Sequence, residues 1–494
     1  MRSILAFALC VAAVFGQTNQ ATISGVVTDT QGGVIAGAKV AAADIETSAV
    51  TSAVSNDAGF YLLPNLAVGG YTLTVEREGF RRSVRKDIQL NTGQTLGLDV
   101  KLELGTVNET VSVSGEVPLV ETRTSDVTQL IESKSIEDLP LGNRRALNVI
   151  ALTGAAVFVG YGNSPGNANP NFSLAGGRTQ SQMFWIDGGS GQNMRLGVGQ
   201  INLDPPVDTV DEIKVLSNNY QAEYGGSAGG VIVETTKSGT NQWHGSAYEY
   251  LRNNAMDAPG YFAPVQNGAK VTPKLRYNVF GGTFGGPVRR DKTFFFFAYE
   301  GQQLRTGGVD TLTVPTAAQR TGDFSQTFNQ AGKQIPIYDP TTRVQFPGNA
   351  IPSNRLDPVA LNALKYYPLP NRPADNISGA NNFRANYVIA TPANFYMAKV
   401  DHNFSARDRV TGRYMWNGGT SSNTSVYPFP AASPRNSAEN QQQYTYANWT
   451  RVVSAAAVND VRFSYTYRLF HNLSGGIGGK YPEKLALTGV QDNA

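Results

Sequence analysis

FYMAKVDHNFSARDRVTGRYMW, residues 395–416, decides the fold of the larger part of this chain. Tyr396, Ala398 and Val400 alternate with Met397, Lys399 and Asp401. Past a tight turn at Ser405-Ala406-Arg407-Asp408, Val410, Gly412, Tyr414 and Trp416 alternate with Arg409, Thr411, Arg413 and Met415. A period of two marks strands with two unlike faces, and the short turn makes them an antiparallel hairpin. Alternation alone leaves the environment open, because a soluble sandwich buries its aromatic face whereas a transmembrane barrel turns it to lipid. Three features favour the barrel. Strands of about 9–11 residues suit a tilted membrane crossing. Tyr and Trp lie toward strand ends, the place of interfacial girdles. Short turns such as 405–408 contrast with long connections, notably Gly301 to Asn394.

Working outward, seven strands of this kind are expected: Trp243–Arg252, Leu275–Gly285, Lys292–Gly301, Phe395–Phe404, Arg409–Trp416, Gln443–Arg451 and Val458–Leu469. In the last, Val461, Phe463, Tyr465, Tyr467 and Leu469 form one face. Seven antiparallel strands do not make the even-numbered barrel usual in bacteria. An open edge in lipid would leave backbone groups unpaired, at several kcal/mol each. The expectation is that residues 241–494 are the first part of an antiparallel transmembrane β-barrel in a longer chain. Aromatic residues agree with that boundary: 13 Phe, Tyr and Trp precede residue 241 and 36 follow.

At the other end, Arg2 followed by the apolar run Ile4–Phe15 has the layout of a secretory signal peptide, residues 1–16, and is too short to span a bilayer. Cys10 is the single cysteine of the 494 residues, which excludes a disulfide framework and a cysteine metal site. Bulky Leu9 before it, and the apolar residues after it, argue against lipidation. A net charge of +3 over this length announces no nucleic-acid partner. Residues 21–104 read as an all-β sandwich, with short strands punctuated by Gln31-Gly32-Gly33, Asn56-Asp57-Ala58-Gly59 and Gly69-Gly70. Its last strand, Thr95–Leu104, sets Leu96, Leu98, Val100, Leu102 and Leu104 on one face. ISGVVTDTQGGVIAGAKV, NDAGFYLLPNL and GGYTLTVEREGF in this stretch resemble the carboxypeptidase regulatory-like domain. That resemblance implies a fold and no catalysis.

Residues 105–240 change character. Asn108–Gly115 is a polar, β-branched segment between glycines, readable as a strand waiting for a partner edge or as a linker strand. Ser135 is expected to cap a short helix ending before Pro140, and Arg144–Leu152 to form a second. Strands are expected at Gln182–Asp187, Glu212–Leu216 and Gly230–Thr236, giving an α+β unit over 116–240.

The order of these parts, with SLAGGRTQSQMFWIDGG (173–189), DTVDEIKVLSNNYQAEYGGSAGGVIVETTKSGTN (208–241), WHGSAYEYLRNNAMDA (243–258) and NVFGGTFGGPVRRDKTFFFFAYEGQ (278–302), resembles a TonB-dependent outer-membrane transporter of the Oar-like group. The resemblance implies a periplasmic N-terminal sandwich and a plug at 116–240 that fills a barrel. It also implies a TonB-box-like segment, Glu109, Thr110, Val111, Ser112 and Val113, that pairs as an added strand with TonB in the periplasm. It implies structural plug roles for Arg178, Asp187, Gly188, Tyr224, Gly225, Gly229 and Gly230. The partners implied are TonB, outer-membrane lipid and an unidentified solute such as a glycan or peptide. No cofactor or metal is implied.

Other chemistry finds little material. Gly225–Gly230 lacks the Lys-Ser/Thr of a phosphate loop and is expected to be a turn. His244, His402 and His471 have no ligand spacing and are expected in the barrel lumen or at the interface. Ser421-Ser422 belongs to no nucleophile motif, and Asp204–Asp211 is expected to be a solvated loop. An enzyme is not expected. The competing function is a surface adhesin or protein-export factor on the same barrel.

Overall fold

The computed structural model describes residues 20–105, 110–113, 126–139, 141, 144–161, 170–179, 181–191, 204–221, 224, 229–261, 265–266, 269–423, 427, 437–454, 457–473 and 479–490. The expected signal peptide, Glu109 and Gly225 lie outside the described residues.

The N-terminal sandwich contains β1 (Ala21–Asp29), β2 (Lys39–Asp44), β3 (Val50–Val54), β4 (Phe60–Leu66), β5 (Gly69–Glu76), β6 (Arg82–Leu90), β7 (Thr95–Gly97) and β8 (Val100–Leu102). Strands β4, β1, β7 and β8 form one sheet, and β3, β2, β5 and β6 lie in the other. Leu96, Leu98, Val100 and Leu102 are buried as their alternation requires, whereas Leu104 is exposed. The expected single closing strand is broken at Leu98-Asp99, where the Asp99 carboxylate accepts the Val26 N–H at 2.9 Å in place of a backbone partner. A register shift opposite Tyr71–Leu73 places Asp87 at φ +58° and changes which face the β6 side chains take. The strand β9 (Thr110–Val113) then pairs in parallel beside β6, Arg82 opposite Thr110 through Arg85 opposite Val113. The segment read as waiting for an edge has one within its own chain.

The middle unit contains β10 (Val127–Glu132), a helix at Ser133–Asp138, a 3₁₀ helix at Ala146–Leu152, β11 (Ala156–Tyr161), β12 (Pro170–Leu174), β13 (Met183–Ile186), β14 (Gly189–Ser190), β15 (Val210–Asn218) and β16 (Val231–Thr236). Its sheet order is β10-β15-β16-β13-β14, with β11 and β12 as a separate hairpin. β16 is buried along its whole length because it lies between two neighbours and under the 3₁₀ helix side of the core. Ser135 is not the helix cap: the helix begins two residues earlier, and Glu132 occupies the cap position without a side-chain bond. β10 and the β11–β12 hairpin add to the three strands expected for this unit.

All seven expected C-terminal strands form one antiparallel sheet in sequence order: β17 (His244–Asn253), β18 (Lys274–Arg289), β19 (Thr293–Leu312), β20 (Phe383–Ser405), β21 (Asp408–Asn423), β22 (Ser437–Ser454) and β23 (Ala457–Leu473). Among the described residues the sheet is open, with β17 and β23 at its edges. The strands are longer than expected. β19 and β20 remain paired from Gly301 opposite Asn394 out to Leu312 opposite Phe383, so the long connection is 313–382 rather than Gly301–Asn394. At about 3.4 Å per residue such strands exceed a hydrocarbon core of about 30 Å and project beyond it. The 313–382 connection is ordered by polar contacts. Asn349 donates to Phe324 O at 2.8 Å and Ile335 O at 3.0 Å and accepts from Ile337 N at 2.7 Å.

The two faces of this sheet settle the ambiguity in residues 395–416. Tyr396, Val400 and Tyr414 are exposed, as are Val461, Phe463, Tyr465 and Tyr467. Lys399 is 6%, Asp401 3% and Arg413 3% exposed, and Glu300, Gln442 and Asn448 are buried on the same face. Apolar side chains point out and charges point in, the inverse of a water-soluble sheet.

Candidate functional site

The buried polar face of the sheet meets the middle unit around one turn. β13 and β14 are joined by Asp187-Gly188, both at positive φ (+49° and +86°), the geometry of a type I′ hairpin that Asp-Gly favours. This turn aims the Asp187 carboxylate at β16 and at the sheet. Thr236 donates to it from its backbone N–H at 2.8 Å and from Oγ1 at 2.5 Å. From the sheet, Arg413 donates to the same carboxylate and also to Ile186 O at 3.2 Å. Lys399 Nζ lies 3.7 Å from Asp187 and donates to Thr236 O at 2.9 Å.

Lys399 and Arg413 are directly opposite each other on β20 and β21. Like charges in that position repel; the Asp187 anion between them offsets the repulsion. Tyr444 and Tyr446 flank the Arg413 guanidinium, with ring centroids at 4.9 Å and 5.5 Å. Ile186 closes the apolar rim with Phe296, Met397, Met415 and Tyr444. One turn of the middle unit is therefore held by both charge and packing.

A second contact lies at Arg144 and Arg145. Arg145 donates to Asp204 O at 3.0 Å and to Gln302 Oε1 of β19 at 2.9 Å. Arg144 pairs with Asp208 at 2.8 Å and lies 3.8 Å from the Tyr250 ring centroid on β17. The 204–211 stretch is thus not a solvated loop: Asp204 is buried, Asp208 is paired, and β15 begins at Val210. Burial pushes the Asp204 carboxyl up to about 7 against the opposing pull of Arg145. Burial likewise raises Glu234 well above the carboxylate range.

The sandwich also touches the middle unit. Thr92 donates to the Glu212 carboxylate from N at 2.8 Å and from Oγ1 at 2.8 Å, and Lys214 donates to Gly93 O at 3.3 Å. Burial raises Glu212 to about 7, and the Thr92 bonds pull it the other way. Asn241, leading into β17, donates to Glu46 O at 3.0 Å. A cavity of about 360 Å³ between the three parts is lined by Asp44, Glu46, Asp187, Lys237, Lys399 and Arg409 among others.

The remaining expected residues scatter. Arg178 is exposed and contributes its carbonyl, which accepts from Ser181 Oγ at 2.6 Å. Tyr224 is buried with Leu216, Val231 and Val233. Gly229 and Gly177 stand where a Cβ on Gly177 would come 2.9 Å from the Gly229 Cα, and Gly230 has φ +88° with Leu216 O 2.8 Å from where a Cβ would sit. His402 lies 2.8 Å from Thr293 Oγ1, His244 is 3.1 Å from Gln242 O, and His471 is exposed. Among the described residues no group of His, Cys, Asp and Glu could hold a metal. Arg413, Lys399, Arg144 and Arg145 were missed as site residues; for Arg413 and Lys399 the available signal was a cation on the inward phase of a strand whose other phase is aromatic, whereas Arg144 and Arg145 precede the 3₁₀ helix and carried no such signal.

A family described as outer membrane beta barrel domain matches residues 235–494, and the carboxypeptidase regulatory-like domain matches residues 22–103. The TonB-dependent transporter Oar of Myxococcus xanthus is 25% identical over 382 residues, 69% of this chain and 34% of Oar. The chain thus spans about a third of the length of that curated relative. Among solved structures, the outer membrane transporter YddB from Escherichia coli superimposes with TM-score 0.44 at 13% identity, over 70% of this chain and 39% of that one. The siderophore receptor PiuA from Acinetobacter baumannii gives TM-score 0.36 at 12% identity, over 70% and 46%.

Proposed function

The chain belongs to the outer membrane beta barrel domain family, and we propose that this outer-membrane protein serves TonB-dependent passage of a solute, a glycan, peptide or similar molecule, across that membrane. In this reading residues 1–16 are a signal peptide, 21–104 the periplasmic sandwich, 105–115 the linker carrying the TonB-binding segment 109–113, 116–240 the plug, and 241–494 barrel wall. The observation that carries it is the Asp187 turn, fixed by Thr236 within the middle unit and by Arg413 and Lys399 from the polar face of the sheet. A middle unit held on that face by a few charged contacts can block a lumen and still be displaced by a directed pull. Similarity to Oar supports the same reading. An adhesin needs no such movable unit.

The test is deletion of residues 109–113 in the full-length protein, with capture of the periplasmic domain of TonB by detergent-solubilised outer membranes as the readout. At least a tenfold loss of capture is expected. Undiminished capture would remove the TonB assignment from this segment.

A further inference from the structure

The sandwich holds the segment that the proposed function assigns to TonB. β9 pairs with β6 over four register positions, Arg82/Thr110 to Arg85/Val113, and is the last strand in the order β3-β2-β5-β6-β9. A strand has two hydrogen-bonding edges. β6 takes one, and among the described residues no strand pairs with the other. The opposite end of the same sheet is tethered: just before β3, Glu46 O accepts from Asn241 N at 3.0 Å and Ser48 Oγ accepts from Asn241 Nδ2 at 3.3 Å. β3 at the other end also has an outer edge that no strand pairs with among the described residues, but β9 is the edge strand that contains the segment assigned to TonB.

We propose that β9 is presented as the outer strand of a preassembled sheet, and that the TonB strand adds beside it as the sixth, without displacing it from β6. The inference rests on reading residues 109–113 as the TonB-binding segment. Its physical basis is preorganisation. A free four-residue segment loses backbone entropy when a partner orders it, and a two-stranded pair is marginal alone. A segment already aligned on β6 has met that cost, and the partner extends an existing sheet instead of nucleating one.

The same pairing defines a load path. β6 ends at Leu90, and Thr92, two residues on, is bonded to Glu212 on β15 and lies 2.8 Å from Thr235 Oγ1 on β16. Tension applied to β9 passes through the β6 ladder to the middle sheet, bypassing the covalent linker after Val113. The sandwich then belongs to the coupling machinery.

A cross-link within the chain separates this arrangement from its opposite, in which β6 conceals β9 from TonB. In the full chain with Cys10→Ser, Val84→Cys and Ser112→Cys face each other across the two strands. Binding of the purified periplasmic domain of TonB is measured before and after oxidation of this pair. The platform predicts that the oxidised protein binds within twofold of the reduced protein, or more tightly. A tenfold or greater weakening on oxidation, reversed by reductant, would show concealment and overturn the platform while leaving the TonB segment in place. Arg82→Cys with Thr110→Cys repeats the test at the other end of the register if the first pair disturbs the sandwich. A wild-type chain that binds no TonB domain at all would overturn the reading of 109–113 and the platform together.

Discussion

Asp187 accepts bonds from two parts of the molecule at once, and its environment decides the cost of disturbing it. Arg413 is fully buried and Asp187 nearly so. Removing one partner of a buried pair costs about 3–5 kcal/mol where the remaining charge is left alone; here Lys399 and Thr236 stay on Asp187, so the cost falls below that range. Arg413→Ala should lower the unfolding free energy of the middle unit, read as a lower urea midpoint at unchanged slope, and Asp187→Asn in the same chain should restore part of the loss. Equal and additive losses in the double-mutant cycle would show that the two residues are not coupled. A second residue-scale effect concerns pH. Asp204 has its carboxyl raised to about 7, whereas in an unfolded chain it titrates near ~3.9. Between these values the native state binds the proton more, so this contribution to stability is full below the unfolded value and is lost as pH rises through 7. Glu212, also raised to about 7, acts in the same window. Wild type should therefore be more resistant to urea at pH 5 than at pH 8, and Asp204→Asn should shrink that difference. An unchanged difference would assign the effect to other groups.

At the scale of elements, the seven strands show how far alternation can be trusted. Their number, order and approximate centres are legible because each has an aromatic phase and a polar phase. Strand ends are not: β19 and β20 continue for about eleven residues past their expected limits because the neighbour supplies backbone partners as far as Leu312 and Phe383. Side-chain pattern does not report that. The outward phase carries its own prediction. Phe463→Lys places a cation on the lipid-facing side of β23 and should cost about 2–4 kcal/mol if it lies near the midplane. The measurement is folding into phospholipid vesicles against urea. Phe463→Tyr should fold as wild type; equal tolerance of Lys and Tyr would mean that this face does not meet lipid. In the sandwich, a bulge at Lys86-Asp87 changes the phase of burial along β6 and hides its alternation, whereas β2 and β5 keep a single phase.

At the scale of the whole molecule, the sandwich and the middle unit meet through polar bonds, whereas the middle unit meets the sheet through both charge and packing. The sandwich core and the principal middle-unit core are separate clusters, and between these two units the bonds of Thr92 and Gly93 to Glu212 and Lys214 do the joining. Thr92→Val removes the Oγ1 donor to a buried carboxylate, at about 1–3 kcal/mol. The expected result is faster protease cleavage between the sandwich and the middle unit, with the urea midpoint of the sandwich itself unchanged. Cleavage at the wild-type rate would mean that other contacts hold the two together. Such joints fit the proposed function, in which the middle unit is a plug that is held and then moved.

Periodicity, turn chemistry and charge balance were local properties, and by themselves they determined the β-sandwich, the seven-stranded sheet and the aromatic boundary near Trp243. They could not determine which phase of residues 395–416 faces outward, since a strand's period is the same in water and in lipid. They could not show that Asp204 is buried, that Lys399 and Arg413 share Asp187, or that Thr110–Val113 lies against β6. Each of these depends on residues tens to hundreds of positions apart. Only the packing of the middle unit against the polar face of the sheet brings the charges together, and only the free edge of β6 gives the 110–113 segment its place.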